Sequence, residues 1–420
     1  MTGGASAASA QDEPPDQAPG MPRDAYLFAV SIFLLIAATN ILTPLLPAVR
    51  DDFGVSITMA GIIVGSYGLA RLAVDIPAGF LSTRVGERRL SIIALILLVF
   101  ASILGLFAPT VEVLIASRIG SGISVGILAT VVLSGLGSTA SAQNRGKVMS
   151  LFHVANNFGI AAYPMIGGLL GLAFGWRSTF IVTGVLAVVA SVILVPLLLR
   201  TDFRATTGRG GSKTDTARIL YGRQRLIAIL VTNFGVMANM IHRHGFRNTI
   251  LPLYAATVLG LGGVSIATAI ALMAITGLVV ATPGGALGDR VGRRRVITAG
   301  LFGVAVGDLV FLLTGDLVTF LVAAALIGFG DFFTSSQTAQ LAEVVPPEQR
   351  TMALSTYRFS ADLGALIGPV LLAAVMDLAS AQHAIILAAA ILFTASLSAW
   401  LLMPKPPGDV PEGAERRVAV

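Results

Sequence analysis

The chain has 420 residues, 55% hydrophobic and only 12% charged, with a mean hydropathy of +0.85, too apolar for a water-facing shell around a soluble core. Cysteine is absent, which excludes disulfides, thiolate metal sites and cysteine nucleophiles. The formal charge of +6 reads as membrane topology and not as a nucleic-acid surface, because of where the basic residues fall.

Residues 1–24 are Ala, Gly, Pro, Gln and acidic residues without the basic and apolar blocks of a signal peptide, and read as a disordered cytoplasmic tail. A spanning helix needs roughly 20 mostly apolar residues. Such stretches run at 25–49, 57–81, 90–108, 111–135, 147–172, 178–199, 225–253, 264–287, 296–314, 319–341, 351–376 and 383–403. The prediction is an all-α integral membrane protein of twelve transmembrane helices. An even number puts both termini on one side. Lys and Arg gather in the segments on that side and leave Arg50 and Arg177 on the other, so the positive-inside rule predicts cytoplasmic termini in a cell (plasma or inner) membrane.

The polar stretch 200–224, with Arg200, Arg204, Arg209, Lys213, Arg218 and Arg223, reads as a cytoplasmic linker. It divides a six-helix bundle at 25–199 from a second at 225–403, and 404–420 forms a cytoplasmic tail. A shift of 206 positions lays Pro77, Gly79, Arg84, Gly86, Arg88 and Arg89 on Pro283, Gly285, Arg290, Gly292, Arg294 and Arg295. A shift of 205 lays Pro47 on Pro252, Gly159 on Gly364 and Pro164 on Pro369. Duplicated parallel bundles are pseudo-symmetric and place a substrate site at their interface near the middle of the bilayer.

Gly285-Ala-Leu-Gly-Asp289-Arg290-Val-Gly292-Arg-Arg-Arg295 resembles the loop signature of the major facilitator superfamily, over about residues 25 to 403. In that family such loops bring helices close through glycine and latch neighbouring helix ends through Asp and Arg. The resemblance implies gate loops built from Gly79, Arg84, Gly86, Gly285, Asp289, Arg290 and Gly292, with Thr83 at the acidic position of the first copy. Leu114-Ile-Ala-Ser-Arg118-Ile-Gly-Ser121-Gly122 is similar to a family pattern whose membrane-embedded Arg is tied to proton coupling, with Ser121 in place of the commoner Gln. Gly159-Ile-Ala-Ala-Tyr163-Pro164-Met-Ile-Gly167-Gly168 is similar to the signature of twelve-helix drug:proton antiporters, although Tyr163 stands where Gly is usual.

A charge inside hydrocarbon is costly unless paired or wetted, so buried ionisable residues are functional candidates. Arg71 and Asp75, four apart, are within reach of a local ion pair, and Arg358 and Asp362 repeat that spacing opposite His153 and Asn157 in the duplicate. The proton-coupling candidates are Asp331, Asp362, Asp75, Arg118 and Arg358; Asp331 is preferred to Asp308 because tenth helices line the cavity in this family. The substrate-cavity candidates are Asn40, Arg118, His153, Asn157, Arg243, Arg247, Asp331 and Arg358. Arg243 and Arg247 share a face and, with Arg118, form a positive half-cavity for an anion, or else snorkel to the outer interface.

Nothing resembles a nucleotide loop of the Gly-Lys-Ser/Thr type, a metal-ligand cluster or a nucleophile elbow, so neither an enzyme nor a cofactor or metal is expected. The expected partners are membrane lipid, a small-molecule substrate and protons, with no nucleic acid and the chain acting as a monomer. The resemblance implies a secondary transporter that exports a small amphipathic or drug-like molecule by proton-coupled alternating access. The alternative is a transporter of an organic anion, anionic metabolite or lipid-like anion through an Arg-lined cavity.

Overall fold

A computed structural model describes residues 22–139, 145–200, 223–331, 337, 340, 341, 345 and 349–403. The side chains of Asp75, Asp289 and Asp331 and the surroundings of Gly79 and Gly285 lie outside the described set. The helices are α1 (Arg23–Phe53), α2 (Ile57–Val85), α3 (Glu87–Leu106), α4 (Val111–Thr139), α5 (Arg145–Phe174), α6 (Ser178–Arg200), α7 (Arg225–Thr257), α8 (Gly263–Val291), α9 (Arg293–Val310), α10 (Leu317–Asp331), α11 (Arg350–Leu378) and α12 (Ala381–Leu402). Eleven are long and apolar enough to cross a membrane, and Leu317–Gly330 of α10 is apolar but shorter. Beyond Asp331, Gln337, Gln340 and Leu341 are again helical, and the rest of the tenth predicted span lies outside the described residues.

Lipid offers the backbone no hydrogen bonds, so apolar runs of this length satisfy themselves as helices. Their hydroxyls turn inward on the same helix: Ser102 Oγ donates to the Leu98 carbonyl and Thr183 Oγ1 to the Thr179 carbonyl, each at 2.8 Å. Large side chains such as Ile96, Phe100, Val192, Val279 and Leu401 remain exposed on the outside, where acyl chains would cover them. The buried core divides mainly into one cluster around Phe28, Leu98, Leu128 and Leu194 and another around Phe246, Phe311, Phe320 and Leu392.

The duplication is visible in the backbone itself. Gly54 and Gly260 have φ of 62° and 64°, and Gly86 and Gly292 have φ of 86° and 97°. Gly86 alone joins α2 to α3 and Gly292 alone joins α8 to α9, so each signature loop is a one-residue turn that only glycine adopts without strain. Two residues beyond each turn an arginine reaches the end of its own bundle. Arg88 Nε donates to the Leu198 carbonyl of α6 at 2.8 Å, and Arg294 donates to the Trp400 carbonyl of α12.

The first helix of each bundle is irregular at its middle. α1 is interrupted by a 3-10 turn at Thr43–Leu45, where Pro44 withdraws an N–H, while α7 widens into a π-helix at Ile241–Ile250 ahead of Pro252. The bundles meet through α2 against α11 and α5 against α8. A Cβ on Gly61 would stand 2.5 Å from the Pro369 carbonyl oxygen and from Ala373 Cβ, and one on Gly168 would stand 2.7 Å from Ala267 Cβ. Thr58 Oγ1 donates to Asp377 at 2.8 Å across the same seam. These contacts lie at the membrane face away from the chain termini, so the bundles are shut against each other there.

Candidate functional site at the centre of the bundles

The site starts from the break in α1. Where the ladder is interrupted, the Ala38 carbonyl accepts a hydrogen bond from a terminal nitrogen of Arg118 at 2.7 Å. The Arg118 guanidinium lies 5.1 Å from the centre of the Tyr67 ring, and the Tyr67 hydroxyl accepts from Thr39 Oγ1 at 2.6 Å. Arg118 is buried, and it forms no ion pair with a carboxylate among the described residues. Asn40, next to Thr39, is also buried and donates back to the Ile36 carbonyl.

From the opposite bundle the π-helix of α7 presents two chemically different sides. Towards α9, His242 Nδ1 stands 3.0 Å from Asp308, both fully enclosed, with His242 stacked on Phe246 and Phe246 edge-on to Phe311. Towards the other bundle it carries Arg243, His244 and Arg247. His244 lies within electrostatic range of four guanidinium groups, Arg247, Arg243, Arg71 and Arg118, two from each bundle. Arg243 is two residues past the middle of α7 and Arg247 is 5% exposed, which sets the cluster at mid-bundle depth and not at the outer interface.

The carboxylate that Arg71 meets is Asp362, at 3.8 Å across the seam between bundles. The spacing of four predicted local pairs within α2 and within α11; the antiparallel register of those helices brings Arg71 and Asp362 together between them, while the α2 partner Asp75 lies outside the described side chains. Arg71 is the middle residue of α2 and Asp362 lies two residues from the middle of α11, so the bridge spans the centre of the molecule. Asp308, by contrast, is committed to His242 inside the second bundle. Arg358 is exposed one turn before Asp362, His153 is exposed and edge-on to Phe152, and Asn157 is half-buried. The carboxylates of Asp75, Asp289 and Asp331 belong to side chains outside the described set.

Among the described side chains the centre therefore holds four arginines against Asp362. Guanidinium groups in a low-dielectric site are strong charge-assisted donors. One member of the centre, Tyr67, and one pair outside it went unread in the sequence. Tyr67 lies one helical turn from Arg71 and so shares its face, a signal that was present; the His242 pairing with Asp308 links positions 66 apart and left none.

A model described as Major Facilitator Superfamily matches residues 28–282 and 246–419. The chain belongs to the major facilitator superfamily. It is 23% identical over 363 residues to an uncharacterised MFS-type transporter of Methanocaldococcus jannaschii, covering 83% of this chain and 90% of that one. A probable sugar efflux transporter of Mannheimia succiniciproducens is 26% identical over 174 residues, 41% of this chain and 42% of that one. A crystal structure of a POT peptide transporter in complex with sulfate superposes with a TM-score of 0.76 at 16% identity, covering 91% of this chain and 95% of that one, which shows a shared fold. This major facilitator protein is accordingly a multi-pass membrane transporter of a small molecule, and not an enzyme.

Proposed function

We propose that the chain is a proton-coupled secondary transporter that carries a small organic anion through the cell membrane by alternating access. The observation that carries this reading is the set of four guanidinium groups, two from each bundle, gathered within electrostatic range of His244 at mid-bundle depth. A cationic solute would be repelled by that set, whereas a carboxylate, phosphate or sulfate group replaces lost hydration with donors from both bundles at once. The chain inserts with both termini in the cytoplasm, as the bias of its basic residues favours, and works as a monomer. The gate loops that end in Gly86 and Gly292 hold neighbouring helices together as the bundles rock.

A second reading, export of an amphipathic drug-like molecule by proton antiport, is favoured by the Gly-Pro-rich run at Gly159–Gly168 and by the efflux relative. The test is transport into proteoliposomes with a panel of small carboxylates, phosphate and sulfate beside a cationic dye. Arg243→Ala and Arg247→Ala are expected to cut anion transport by at least about thirtyfold each, the roughly 2 kcal/mol lower end of what losing a buried charge partner costs. Undiminished anion transport in both, or transport of the dye alone, would sink the anion reading.

A further inference from the structure

We infer that Asp362 is the proton-carrying group and that its bridge to Arg71 fixes the sign of coupling: proton and anion load together and cross in the same direction. This rests on the anion reading above. The carboxylate of Asp362 comes from α11 and the guanidinium of Arg71 from α2, so the 3.8 Å pair joins the two bundles that must rock apart. Asp362 is 8% exposed, and the same Arg71 lies within electrostatic range of His244 beside Arg118, Arg243 and Arg247. Asp362 and a bound anion therefore draw on one guanidinium.

The consequence is a linkage. With Asp362 ionised, the charge of Arg71 is partly neutralised and an incoming anion also meets a neighbouring carboxylate of its own sign. A proton on the Asp362 carboxylate removes both obstacles, so it strengthens anion binding; reciprocally, the bound anion occupies Arg71 and raises the affinity of Asp362 for its proton by the same factor. Each species loads the site for the other, which is symport. A cation would instead compete with the proton for Asp362, which is antiport, so the charge of the solute decides the direction.

The groups around Asp362 act in this sense. α2 contributes Arg71, with the carboxylate of Asp75 outside the described set. α7, whose π-helix packs against α11, carries Arg243, His244 and Arg247, and His244 shares with Asp362 the neighbourhood of Arg71. α11 itself carries Arg358 one turn away and Tyr357, which lies within electrostatic range of Arg243. α12 has a single titratable residue over its described length, His383, held by Ser380 in its first turn and far along the chain axis from the centre. His242 and Asp308 meet at 3.0 Å on the far side of α7, away from Asp362.

The test uses the purified full chain in detergent with inorganic phosphate, sulfate, malate and salicylate as probes and ethidium as the cationic control. Binding is read by thermal shift, and proton exchange by a pH dye in weak buffer. At least one anion is expected to bind with uptake of about one proton, its affinity falling about tenfold per pH unit on the alkaline side, the slope of one linked proton. Asp362→Asn, or Asp362→Ser if the amide variant fails to fold, is permanently neutral and is expected to bind the same anion with no proton uptake and no pH slope; uptake that persists in it overturns the assignment to Asp362. Anion binding without proton uptake, or with proton release, overturns the coupling assignment and leaves the anion reading standing. Binding of ethidium and of no anion overturns both.

Discussion

Two carboxylates deep in the second bundle show how position decides what an acid can do. Asp308 and His242, 3.0 Å apart, are surrounded by Phe246, Phe311 and the rest of the α9 contact, and neither faces the other bundle. Asp362 faces Arg71 across the seam. The first pair is scaffolding by this argument, because a group that meets the same neighbours in every orientation of the bundles gains nothing from the cycle. Removing one member leaves a buried polar group without its partner, so Asp308→Ala should lower stability by about 1–3 kcal/mol, read as a fall in unfolding temperature in detergent. Replacing both by apolar residues of similar size, His242→Phe with Asp308→Leu, should recover most of that loss and keep transport, since a buried pair is often worth no more than good packing. A double variant that is stable but has lost proton-linked transport would place the pair in the coupling machinery.

At the scale of helices, much was legible. In lipid the apolar run and the helix are nearly the same thing, so the spans and the one-residue turns at Gly86 and Gly292 follow from hydropathy and from the glycine repeat. The π-helix of α7 was hidden because widening a helix by one residue per turn depends on what packs against it, here Gly245 against the backbone of Gly368. The Arg71 bridge to Asp362 was hidden for a related reason: spacing along a chain reports neighbours on one helix, while partners between helices depend on register. The start of α10 shows local sequence acting alone. Asp316, outside the membrane spans, accepts from the Thr319 backbone N–H at 2.8 Å and from its hydroxyl at 2.9 Å. Those bonds hold the Asp316 carboxyl below the ordinary carboxylate range. A depressed folded-state value means the stabilisation is complete above the unfolded value, near 4 on the reference scale, and disappears as pH falls through the folded value. The unfolding temperature of the wild type should therefore fall more steeply between neutral and acid pH than that of Asp316→Ala; parallel pH curves for the two proteins would show that the cap contributes nothing.

For the molecule as a whole, the contacts made at one membrane face define what the transport cycle must undo. Gly61 lies on the Pro369 carbonyl, Gly68 on Ala365, Gly168 on Gly263 and Ala267, and Thr58 donates to Asp377. Small residues allow this closeness, and without a hydrophobic force between helices in lipid it is packing and polar contact that hold the face shut. Only α2 and α11 carry a chain of contacts from that face down to the central bridge, from Thr58 with Asp377 to Arg71 with Asp362, among the described residues. Opening that face must therefore separate both polar pairs, and a covalent tie at the outer pair should stop the cycle with the inner pair still able to bind. The chain has no cysteine, so Thr58→Cys with Asp377→Cys adds the only thiols present. Joined by a short reducible crosslinker, this variant should lose net transport in proteoliposomes, recover it on reduction, and keep anion binding in detergent, because the central arginines are untouched. Transport that continues at the uncrosslinked rate, with crosslinking verified on the same sample, would mean that the α2 and α11 ends do not part during the cycle.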